Sequence, residues 1–112
     1  MIARRFALAF LAILAIALVV APAPAAAEDA AKIFARSCAP CHGKAGKPNA
    51  VFAKQGVRNF ADATWQKAAT DAQIEKSIRE GKKGTMMASF EKQYSAEEIK
   101  ALVAYVRKLG KE

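Results

Sequence analysis

The chain is 112 residues long, which bounds it to one domain, and 18 Lys and Arg against 10 Asp and Glu give it a formal charge of +8. Two cysteines and one histidine are too few for a closed structural zinc site, which takes about four protein ligands. No internal repeat or low-complexity tract follows Ala27, which excludes a repeat architecture.

The first predicted element is a leader. Arg4 and Arg5 precede an apolar run from Phe6 to Val20, and "APAPAAA" at 21–27 ends it in small residues. A charged start, an apolar middle and an A-x-A end make a secretory signal peptide over 1–27, with cleavage expected after Ala27. A retained anchor is the rival reading. The run is shorter than the roughly 20 residues a spanning helix needs, and Pro22 and Pro24 interrupt its end. The mature domain is then 28–112, and loss of Arg4 and Arg5, with no acid removed, takes the charge from +8 to +6. Export to the periplasm separates this basic chain from nucleic acid. A domain so small makes a marginal core by itself and needs a staple.

A helix is expected from Glu28 or Asp29 through Ile33 and Phe34 to Cys38, its acids at the positive end of the dipole. It runs into "CAPCHG", Cys38 to Gly43, which holds both thiols and the one imidazole of the chain. Residues i and i+3 share a helical face, so Cys38 and Cys41 can present two sulfurs along one edge of a planar ligand. His42 then lies beneath its centre. Cys-x-x-Cys-His is the attachment signal of haem c, with two thioethers holding the porphyrin and the histidine ligating iron. A thioredoxin-like pair would want a βαβ setting that is missing, and a plain disulfide leaves His42 unexplained. One covalently bound haem c is the expected staple.

The segment from His42 to Asn59 holds Gly43, Gly46, Pro48 and Gly56 and reads as a loop longer than a helical bundle needs, with something packed against it. A short helical piece is expected around Asp62 to Ala69. Thr70 and Gln73 make a capping box for a helix carrying Ile74 and Ile78 one turn apart and stopped by Gly81. "GKKGTMMASF" follows as a glycine-punctuated loop with Met86 and Met87, the methionines that remain once Met1 leaves. Methionine in a small domain is ordinarily core filler. With a haem present, a thioether is a soft sixth ligand for the iron, and His/Met ligation raises the reduction potential. Ser95 and Glu98 cap the last helix, where Ile99, Leu102, Val103, Val106 and Leu109 recur at helical spacing and Gly110 ends the run. No segment alternates as a strand does, so the fold class is all-α.

Taken together, the CxxCH-G motif, the Met loop and the ending "EEIKALVAYVRKLG" resemble a class I c-type cytochrome, the small soluble bacterial monohaem kind, across Glu28 to Gly110. The resemblance implies the cytochrome c fold, three to four helices around one haem. Its N- and C-terminal helices cross, with Ala30 and Phe34 meeting Leu102 and Tyr105. Axial methionine in that family usually sits in Met-Pro-x-Phe. Here Met87-Ala88-Ser89-Phe90 keeps the spacing without the proline, so Met87 is preferred to Met86 as ligand, with Met86 packing on the ring. In relatives a proline carbonyl after CxxCHG accepts from the haem histidine, and Pro48 is the one proline here, though earlier than usual. Trp65 is either packing or a donor to a haem propionate, and Arg58 either a propionate partner or a solvated charge. The implied function is one-electron transfer between periplasmic or membrane redox partners by a monomer without enzymatic activity. Lys44, Lys47, Lys54, Lys82 and Lys83 would form a docking ring for acidic redox proteins. The alternatives are a haem-bearing subunit of a larger dehydrogenase or oxidase, and a haem enzyme or gas binder with an open sixth site.

Overall fold

The computed structural model describes residues 15–20 and 28–112. The expected leader and its cleavage site fall mostly outside these residues, and 15–20 has no regular secondary structure. The described residues contain helices and connections, with no strand and no helix long and apolar enough to cross a membrane.

The first helical run begins where Asp29 caps it, the carboxylate accepting from the Ala31 N–H at 2.9 Å. It is not uniform. α1 (Ala30–Ile33) gives way to a π turn over Phe34–Cys38 and then to α2 (Ala39–His42), so the expected single helix ends in a wide turn that includes the first cysteine. The Ala39 N–H reaches back to the Phe34 carbonyl, one residue further than α-helical pairing would. Pro40 is the second residue of α2, within the first turn where proline is best tolerated.

The segment read as a long loop carries a helix of its own, α3 (Ala50–Lys54), capped by Asn49, whose side chain accepts from the Phe52 N–H. Five residues are too few for a periodic pattern to show, and the Gly and Pro around them carry the stronger, loop-like signal. The chain then returns toward the haem motif, and the Phe60 N–H donates to the Gly46 carbonyl at 2.8 Å. α4 (Ala63–Ala68), α5 (Asp71–Glu80) and α6 (Ala96–Leu109) form where expected, and both capping boxes are made in full.

The core is the crossing of the first run with α6. Ile33, Phe34, Ile99 and Leu102 are all at most 2 % exposed, and the Phe34 and Tyr105 rings lie 4.9 Å apart at 46°. Ala30 packs beside them, half-buried, so the expected crossing is present. α5 packs on α6 through Ile74 and Ile78. A polar latch closes the far end. Gln66 Nε2 donates to the carbonyls of Phe60 and Val106 (2.8 and 2.9 Å), and its Oε1 accepts from Arg107. Arg107 also donates to the carbonyls of Gln66 and Ala69 and to the Asp71 carboxylate.

Candidate functional site

A cavity of about 1330 Å³ opens between the first helical run, the returning segment and the α5–α6 loop. It exceeds the roughly 300–1,000 Å³ of a typical small-molecule pocket. Apolar side chains of Phe34, Ile74, Ile78, Leu102 and Val106 line it. Among the described residues no Asp or Glu lines it, whereas Arg58, Lys76 and Lys82 do.

Cys38, Cys41 and His42 all face this space, brought together by the π turn and the short α2. The His42 Nδ1–H donates to the Arg58 carbonyl at 3.0 Å, which fixes the tautomer and leaves the Nε2 lone pair free. Its ring stacks on Phe60, with centroids 4.3 Å apart at 17°. Burial lowers the imidazole's basicity and the bond to Arg58 opposes this only in part, so neutral pH finds the ring in its ligating form. Burial, with the adjacent Cys41, pushes the Cys38 thiol up to about 11. Cys38 is thus held as the neutral thiol, unlike an activated redox nucleophile.

The carbonyl that holds His42 corrects one expectation. It belongs to Arg58, not Pro48, and Pro48 does not line the cavity. Pro48 sits just ahead of the Asn49 cap and serves to start α3, whereas the chain passes the imidazole only on its return, at Val57 and Arg58. Met86 and Met87 both line the cavity from the α5–α6 loop. Met87 is half-buried and packs against the core, whereas Met86 is 60 % exposed. Trp65 lines the cavity too and packs on Phe60, with ring centroids 5.1 Å apart. Of the five expected lysines all are exposed, and Lys82 alone reaches the cavity.

Sequence reasoning missed two cavity residues of consequence. Phe60 is buried and touches Phe34, His42 and Trp65, a hub for the aromatic wall. Its signal was faint, one aromatic at the end of a polar loop. Lys76 lies on α5, where the charged face of an amphipathic helix hid it.

The donor set fits haem c. Two thiols and an imidazole stand on one wall, thioethers on another, apolar surface lies between them, and cations without acids would suit a ligand bearing carboxylates.

Comparison with known proteins agrees. The family model for cytochrome c oxidase, cbb3-type, subunit III matches residues 25–106. The FixP subunit of the cbb3-type cytochrome c oxidase of Azorhizobium caulinodans is 40 % identical over 85 residues, covering 76 % of this chain and 28 % of that protein. FixP of Bradyrhizobium diazoefficiens is 35 % identical over 79 residues, or 70 % of this chain and 26 % of that one. The chain thus spans less than a third of the length of these curated relatives. The solved structure of KustC0563 c-type cytochrome superposes with a TM-score of 0.67 at 39 % identity, covering 73 % of this chain and 98 % of that one. The helices, the cavity and its donor set, and these matches make the chain a member of the cbb3-type subunit III family of c-type cytochrome domains, with the class I cytochrome c fold.

Proposed function

We propose that this domain carries single electrons on one haem c, attached through Cys38 and Cys41 and ligated by His42 and Met87. The observation that carries the reading is the arrangement of these four side chains around one acid-free apolar cavity. Haem c, when bound, supplies a reversible one-electron ferric–ferrous couple. The protein's part is to hold and shield it. His42 is oriented by the Arg58 carbonyl and backed by Phe60, so the ligating nitrogen does not wander. Met87 is the better-placed thioether because its side chain is already packed on the core. The apolar lining disfavours the more highly charged ferric state and so raises the potential. Trp65 and Arg58 are the proposed partners of the propionates.

With histidine and methionine both engaged, no position is left for a substrate, and the domain acts as a carrier without chemistry of its own. It works in the periplasm as a monomer after cleavage behind Ala27, meeting acidic redox partners through its exposed lysines. A fixed place in an oxidase complex is the second reading, favoured by the FixP relatives. Copurification with a membrane complex would select it over the free carrier.

The deciding experiment compares purified holoprotein with Met87→Ala and Met86→Ala. Denaturing gels should stain for covalent haem in all three. Met87→Ala should lose the weak far-red band of Met-ligated ferric haem and drop sharply in potential, and Met86→Ala should keep both. Loss of the band in Met86→Ala alone would overturn the ligand assignment.

A further inference from the structure

The α5–α6 loop must hold Met87 against the cavity, yet Ala88 brings no ring to fix the backbone beside it. The structure shows what fixes it. The Ser89 hydroxyl donates to the Arg79 carbonyl at 2.6 Å, and the Glu91 N–H donates to the same oxygen at 3.2 Å. The Phe90 N–H donates to the Ile78 carbonyl at 3.0 Å. Ile78 and Arg79 stand in the last turn of α5, where carbonyls have no intrahelical partner and are free to take such bonds. Upstream, the Met87 N–H donates to Thr85 Oγ1 at 3.2 Å, and that hydroxyl donates in turn to the Lys82 carbonyl at 2.8 Å. The Lys82 N–H closes the ring on the Met87 carbonyl at 3.0 Å. Met87 is therefore clamped at its own amide and carbonyl on one flank, and two residues later the chain is stitched to the end of α5.

Three of these bonds use side-chain atoms, and two residues, Thr85 and Ser89, supply them all. We infer that Thr85 and Ser89 are positioning residues for the iron's sixth ligand, hydroxyls that set the register of the Met87 thioether. This rests on Met87 being the ligand. Neither hydroxyl would touch the iron. Both are exposed, so neither is explained as core. Backbone bonds alone would still tether the loop, but the segment between Met87 and Phe90 would lose the hydroxyl contacts on either side of it.

The test uses ferric holoprotein and imidazole as a competing iron ligand. Ser89→Ala should keep the far-red band without imidazole but show about tenfold tighter apparent imidazole binding, equivalent to about 1.4 kcal/mol. Thr85→Val, which keeps the shape and removes the hydroxyl, should act in the same direction. Ser89→Thr restores a hydroxyl and should return to the parent's affinity. Adding Ala88→Pro to Ser89→Ala should recover most of the loss, since no hydrogen bond runs from the Ala88 N–H among the described residues and the ring would fix φ instead. The chemical unfolding midpoint, measured alongside, separates ligand slack from general loss of stability. Imidazole affinity within twofold of the parent for Ser89→Ala, or Ser89→Thr behaving like the alanine variant, overturns the inference while leaving ligation by Met87 intact. A far-red band that survives Met87→Ala overturns both.

Discussion

A methyl group at position 81 would stand 2.7 Å from the Met87 carbonyl oxygen and 2.9 Å from the Ser89 nitrogen, in a backbone with φ +73°. Gly81 is therefore needed twice, for its own conformation and for the close passage of the Met loop. Gly81→Ala should lose about 1–3 kcal/mol in guanidinium unfolding and weaken the far-red band as well. A glycine stop was legible here because α5 runs out of helical spacing at that point. Gly110 was legible for the wrong reason. It ends α6 with φ −74°, not left-handed, and what a side chain would strike is Gln66, 2.6 Å away. Nothing local announces such a contact, since Gln66 lies 44 positions upstream. Gln66 itself joins the returning segment, α4 and α6 through half-buried bonds. Gln66→Ala should cost about 1–3 kcal/mol, read as a lower denaturant midpoint with an unchanged spectrum.

At the scale of elements, the capping boxes at Thr70 and Ser95 were visible because they are local chemistry, four consecutive residues satisfying their own amides. The π turn was not, because widening one turn needs no particular residue type. The start of α6 gives a pH prediction. The Ser95 N–H, and then the Glu28 N–H across the crossing, hold the Glu98 carboxyl below its ordinary 4.5. Arg36 does the same for Glu28 through a paired hydrogen bond. Both groups release their protons more readily in the folded chain, so their contribution is whole above about pH 4.5 and fades as the pH falls through the depressed values. Glu98→Gln keeps the capping acceptor but cannot titrate. It should flatten the acid side of the stability curve, measured by thermal unfolding between roughly pH 5 and pH 3. The Arg36–Glu28 pair is exposed on both sides and adds little at neutral pH.

For the whole molecule, the motif that named the cofactor was also the one that explained how so short a chain could be stable. The cavity draws its walls from positions 34 to 106, and on the proposed function the haem would complete the interior. A Cys38→Ser, Cys41→Ser variant, secreted without attached haem, should lose most of its far-ultraviolet helical signal at 25 °C; a full signal would mean that the polypeptide core suffices. Exposed cations near the cavity should make reaction with an acidic redox protein slow as salt rises, most steeply below about 0.15 M ionic strength. Aromatic contacts such as Phe60 with His42 stayed hidden at the sequence level because they depend on where a loop returns, which no periodicity encodes. One contact spans nearly the entire domain: the Glu28 N–H on the Glu98 carboxylate, 70 positions apart. The polypeptide thus enters the domain beside the first turn of α6 and leaves it beyond that helix's last turn, roughly 20 Å along a rod of fourteen residues. Strung within a longer chain, such a unit would hold its two neighbours at a spacing set by a single stiff strut, and not by the slack of its loops.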